Sequence, residues 1–441
     1  MHQRIKAIPL LVLFIANSAC FAAEMKGPIT TKQPHYIAPT TQNIEEIRKN
    51  ISESTMVEKY LVTGQLAEGE SKLKAYLKVH TEDDQARFGL GILQVLRAIE
   101  SLFQGVYEFG IPDINLSRVS ADSGRTNGLP LPSNSEPKLL TYQKLRYGIQ
   151  RFSDTLREAE FTLSGISDEE VSLPTHFGLI RLDLNGDGKL EKEEALWRIF
   201  NQNRRRQRVS EDTASQFLIR FDRGDVHWLR GYCHLIMGFC EFLLAHDFKK
   251  TFDCGAHIIF KNVDTQYEIL KYPHLSGQEA SIIDLASIVH SINWKVVHPN
   301  KMAKSLWHFR AMVKQNKLMW KYIEAETDDD REWIPNANQT GLFRSMKVTQ
   351  KKVDSWKMLM DKLDEILSGK VLLGFWRKKE GYGLDVPSIF LKPRDFDLVL
   401  WVHGPAAAPY LKEGKTTRKV TWDELDKAFQ GHIIDFSWWF N

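Results

Sequence analysis

Apolar residues recur at helical spacing through the first third of the chain. Leu66, Leu73 and Leu77 mark one stripe, and Phe88, Ile92, Val95 and Ile99 mark another. Thr81-Glu82-Asp83-Asp84 between them is a turn with capping residues, so 44–110 reads as a helical hairpin region. Residues 111–138 are rich in Gly, Pro, Ser and Asn and predict a long loop. Beyond it a central helical domain spans 139–368. Helices are expected over 139–163, 211–245 in one or two pieces, 276–289, 300–326 and 349–367. The stretch Asp225 to Ala245 is apolar over most of its surface, which predicts a central, buried helix. Trp307 with Met312, and Met358 with Leu359 and Leu363, suit a packed core. After Gly369 the character changes: Ile389-Phe390-Leu391 and Leu398 to Val402 read as short strands, and 422–429 as a last helix capped by Thr421. The fold class is therefore mostly α, an irregular helical-hairpin architecture with a small mixed α/β segment over 369–441.

The N-terminus has a different logic. Arg4 and Lys6 precede an apolar run from Ala7 to Ala19, and small residues follow at Ala22 and Ala23, as in an export signal over 1–23. The run is shorter than the roughly 20 residues of a membrane span. Export would place the mature chain in the periplasm or outside the cell, with a lipid anchor at Cys20 as the lesser reading. Residues 24–43, with Gly27, Pro28, Pro34 and Pro39, read as a flexible leader.

The 441 residues carry 43% hydrophobic and 26% charged side chains, which excludes a mainly disordered chain. Lys+Arg is 59 against Asp+Glu 56; loss of Arg4 and Lys6 with the signal takes the net charge from +3 to +1. That balance argues against nucleic acid or an anionic membrane as partner. Cys233, Cys240 and Cys254 remain after the signal, an odd number that does not form a disulfide framework. On one helix Cys233 and Cys240 lie two turns apart, about 10 Å, too far to pair. Buried thiols are the simpler reading, and Cys254 keeps a disulfide with either one open.

The chemistry concentrates in residues 183–194, Asp-Leu-Asn-Gly-Asp-Gly-Lys-Leu-Glu-Lys-Glu-Glu. This segment resembles the calcium loop of the EF-hand family at every constrained position. Ca²⁺ takes six to eight oxygens at about 2.3–2.6 Å. Asp183, Asn185 and Asp187 alternate so that their side-chain oxygens converge, and Gly188 permits the sharp turn. The resemblance implies the Lys189 carbonyl as a further ligand, Glu191 acting through water, and Glu194 closing the site by bidentate coordination. An exit helix is expected from Glu191 to Arg204. The segment leading in, Leu173 to Ile180, contains Pro and Gly and reads as a strand or single turn instead of a full helix. EF-hands usually pair, yet no mate is found: Trp333 stands where Gly is needed after Asp328-Asp329-Asp330, and Arg118 after Asp113-Ile114-Asn115.

Weaker signals surround this one. The hairpin near 56–109, with Ala86, Gly89 and Gly91 at close-packing positions, resembles a single tetratricopeptide hairpin, without a second copy. Asp253 and His257 stand near His246 and Asp247. Asp395, Asp397 and His403 are the best guess at a general acid/base site. Arg223-Gly224-Asp225 reads as a helix start with Asp225 as its cap, and Arg204-Arg205-Arg206 as a solvated helix end. Phosphate-loop, zinc-protease and nucleophile-elbow motifs are missing. The leading expectation is an exported calcium-binding protein with a structural ion and a protein or peptide partner. The alternative is a calcium-stabilised hydrolase working through Asp395, Asp397 and His403.

Overall fold

The computed structural model describes residues 56–111, 131, 133–189, 194–198, 218–271, 278–329, 332–341, 348–377, 381–417, 429, 436 and 440. The expected signal, the leader, most of the 111–138 loop, Arg204 to Arg206 and most of the last helix lie outside them. The chain is mostly helical, with small antiparallel sheets.

Three helices open the described part: α1 (Met56–Thr63), α2 (Leu66–Leu77) and α3 (Asp84–Phe109). The Asp83 carboxylate accepts from the Ala86 N–H and so starts α3 where the turn composition places it. Helix α4 (Tyr142–Ser164) begins the same way on the Thr141 hydroxyl. Two short strands follow, β1 (Leu173–His176) and β2 (Leu218–Phe221), paired antiparallel with Leu173 opposite Phe221. Then come α5 (Arg223–Ala245), β3 (His246–Asp247), α6 (Lys249–Ile259), α7 (Gln278–Ser291), β4 (Asn293–Val296), α8 (Pro299–Ile323) and α9 (Gln350–Leu367).

Helix α5 is the central element, packed between α4 and α8. Gly238 lets the Phe309 ring of α8 approach the α5 backbone, and the Ser305 hydroxyl donates to the Gly238 carbonyl at 2.8 Å. Its start differs from the expectation. Asp222 is the cap, and Asp225 is the reciprocating residue three positions on, each carboxylate accepting the other's N–H at 3.2 Å. Asp225 itself is buried.

The C-terminal segment departs further. Strands β5 (Leu373–Gly374), β6 (Tyr382–Leu384), β7 (Phe396–Asp397) and β8 (Leu411–Glu413) are present, in two three-stranded sheets ordered β3-β4-β7 and β5-β6-β8. The two expected strands are helices instead: α10 (Val386–Leu391) and α11 (Leu398–His403). A short apolar run does not distinguish strand from helix by period. Pro387 in the first turn of α10, and the Asp397 carboxylate accepting from the Leu400 N–H at the start of α11, decide for helix.

One hydrophobic cluster reaches from Val57 through Leu93, Leu182, Met319 and Trp356 to Phe440. The Asn316 amide stitches it internally, donating to the Phe440 carbonyl and accepting from the Trp356 indole. Cys233, Cys240 and Cys254 are free thiols, the first two buried. Among the described residues no helix is long and apolar enough to cross a membrane.

Candidate calcium site

The loop is built on a period of two. Ile180, Leu182 and Leu184 point into the core, so Arg181, Asp183 and Asn185 between them point outward. Past Leu184 the chain turns back through Gly186 (φ 76°) and Gly188 (φ 72°), both in the left-handed region that favours glycine. Asp183 accepts from the N–H groups of Gly186 (2.7 Å) and Gly188 (3.0 Å). Asn185 accepts from Asp187 N–H at 2.9 Å, and Asp187 from Lys189 N–H at 2.7 Å. Each of these side chains is thus oriented by the backbone two to five residues ahead.

Glu194 is buried and returns to the start of the loop, where its Oε1 accepts from the Leu184 N–H at 2.9 Å. The Leu182 N–H bonds the Glu194 carbonyl, and Leu196 N–H bonds the Ile180 carbonyl, an antiparallel bridge that clamps the two ends together. The incoming side is β1 followed by a single 3-10 turn, Phe177–Leu179, consistent with its Pro and Gly content. Of the expected exit helix, residues 196–198 are helical; Leu190 to Glu193 and the rest fall outside the described residues.

Two helices hold this loop from outside. On α1, Glu58 accepts both the His176 N–H (2.8 Å) and its ring Nδ1 (2.6 Å), and the Leu61 carbonyl accepts from Arg181 N–H. On α3, Glu100 accepts from the Asp183 N–H at 2.8 Å and the Gln104 amide donates to the Asp183 carbonyl at 2.7 Å. Glu100 and Gln104 stand one turn apart, so both face the loop. Burial, with the Asp183 and Glu194 carboxylates added, pushes Glu100 up to about 7. Four acidic side chains, Glu100, Asp183, Asp187 and Glu194, therefore lie on or against this loop, each accepting from its backbone N–H groups. Sequence reading missed Glu100 and Gln104. Nothing local marks them, since they lie about eighty residues upstream.

No family model, curated protein or solved structure matches the chain.

The other nominated residues sit elsewhere. Asp395 accepts from the Val296 N–H, and Asp397 caps α11 and accepts from the Asn293 amide. His403 is the exposed last residue of α11, about 9 Å along the axis from the Asp397 end. Asp253 is buried and paired with Lys249, while Asp247 accepts from the Tyr142 hydroxyl at 2.9 Å. A second acidic group was not foreseen. Carboxylate oxygens of Asp222, Glu326 and Glu332 lie within 4.8 Å of one another. Burial and the Asp222 charge push Glu326 up to about 9.

Proposed function

We propose that the chain is an extracytoplasmic calcium-binding protein. Its ion, held by Asp183, Asn185, Asp187, the Lys189 carbonyl and Glu194, is structural, and its role is binding instead of catalysis. The observation that carries this reading is the loop's internal bonding. Three side chains are pre-oriented by their own backbone, and Glu194 closes the ring from ten residues on. Asp183, Asp187 and Glu194 put three carboxylates on one twelve-residue loop. A divalent cation offsets their repulsion and ties the incoming strand to the returning segment and, through Glu100 and Gln104, to α3. A loop anchored by two helices favours a permanently filled site over a sensor, because little is left to move. The hydrolase alternative draws no support from Asp395 and Asp397, whose carboxylates are occupied with backbone and amide donors.

Thermal unfolding of the mature chain, with millimolar Ca²⁺ and with excess chelator, tests the assignment. Binding to the native state alone stabilises it by about 2.7 kcal/mol at a hundredfold excess over Kd. The expected shift is several degrees, and it disappears in Glu194→Gln. Equal melting with and without Ca²⁺ overturns the reading. The mass of the secreted product checks the compartment: it should begin near residue 24.

A further inference from the structure

Away from the loop, a groove of about 770 Å³ opens between α4, α5, α8 and α9. Its floor is a chain of ionisable groups, half-buried Glu160 and Arg230 and buried His234 and His308. Glu160 on α4 accepts from Arg230 of α5 through Nε (3.0 Å) and Nη2 (2.8 Å), and lies 3.4 Å from His234 Nε2. His234 Nδ1 in turn meets His308 Nδ1 of α8 at 3.1 Å. Between two ring nitrogens, one carries the proton and the other accepts it. With His234 Nε2–H donating to Glu160, His234 Nδ1 accepts from His308 Nδ1–H. Burial opposes the Glu160 charge, yet the His234 and Arg230 hydrogen bonds outweigh it and hold this carboxyl at about 2. Burial and the neighbouring His234 push His308 down to about 4. The floor is thus an ordered, internally satisfied network with Arg230 fixed in it.

The mouth is different. Trp307 on α8 is 59% exposed although it stands edge-on to His234, with ring centroids 5.3 Å apart. Arg310 and Lys314 follow on the same face at the next two turns. Neither has an acidic partner among the described residues. One turn further on, Lys317 has two, Asp361 at 2.9 Å and Asp364 at 3.1 Å. Two unmatched cations and an exposed indole therefore stand together above this network. An indole face takes a ring by stacking, and two cations one turn apart take an anionic group.

We propose that this groove binds a small cyclic organic anion, a ring bearing a carboxylate or phosphate. Trp307 packs on the ring, Arg310 and Lys314 hold the anionic group, and the Glu160–His234–His308 network keeps the wall rigid and presents Arg230. The site shares no residue with the calcium loop and stands or falls independently of it.

Isothermal titration calorimetry on the calcium-supplemented chain at low salt is the test, with glucuronate, glucose 6-phosphate, glucose and inorganic phosphate as four separate probes. The two ring-bearing anions should bind saturably, and glucose and phosphate at least about tenfold more weakly. The double variant Arg310→Glu/Lys314→Glu and the single variant Trp307→Ala should each cut affinity about tenfold or more while melting as the parent does. These side chains are exposed, so folding is not at stake. Absence of saturable heat with both ring-bearing anions up to roughly 10 mM overturns the proposal, since even millimolar affinity is detectable there. Equal binding by the charge-reversed variant, or phosphate binding as tightly as glucose 6-phosphate, overturns it too.

Discussion

Glu326 sits at the end of α8 facing carboxylates from three directions. Asp222 and Asp225 lie at the start of α5, Glu332 in the loop beyond, and Asp328 just past Glu326 itself. The Gln339 amide donates to it at 3.0 Å, and it shares a side-chain hydrogen bond with Asp222. Burial and the Asp222 charge raise Glu326 to about 9, far above the ordinary glutamate value. Between those two values the native chain keeps a proton that the unfolded chain has released, so stability falls as pH rises. It is fully present at pH 4 and is lost through pH 9. Replacing Glu326 by Gln removes the proton from the balance and keeps the hydrogen-bonding shape. The variant should gain about 2 kcal/mol on the parent between pH 5 and pH 9, a figure reduced for the group's partial exposure. Urea unfolding at four pH values checks it; parallel curves for parent and variant would refute the protonated state.

Helix α3 is clamped between neighbours through glycine. A side chain at Gly89 would meet Val57 of α1, and one at Gly91 would run into Leu163 of α4. Both partners are buried, so neither gives way cheaply. Gly91→Leu should therefore cost about 2–3 kcal/mol through overpacking, despite the better helix propensity of leucine. Equal or greater stability of that variant in urea would contradict the close approach. The hairpin spacing was legible in the sequence because helical period and capping residues are local signals. The same holds for the turn of the loop, whose Gly186 and Gly188 and the Asp and Asn side chains that bond its backbone fall within a few residues of one another. What escaped was non-local or ambiguous. The six-residue apolar runs of α10 and α11 carry no period, and the cap chemistry that settles them lies in Pro387 and Asp397. Glu100, Glu326 and the His234–His308 contact join positions separated by scores of residues, which no window of sequence displays.

Across the whole molecule the apolar cluster from Val57 to Phe440 makes the first helix and the aromatic Phe429, Phe436 and Phe440 parts of one core. Contacts of such long sequence separation close late, so refolding should be slow. That slowness matters for Cys233 and Cys240. In the folded chain both are shut inside α5, and burial pushes the Cys240 thiol up to about 12, so neither forms the thiolate that reacts. Unfolding frees both from that shelter and leaves them, with the partly exposed Cys254, on a chain flexible enough for any two to meet. In air at pH 8, heated protein should then accumulate mispaired disulfides and fail to regain its signal on cooling. The same cycle in reductant should recover it, and full recovery without reductant would count against this account. The fold is in this sense its own antioxidant: Cys233 and Cys240 stay reduced by being enclosed, and one lapse of structure in an oxidising medium converts a reversible opening into a permanent loss.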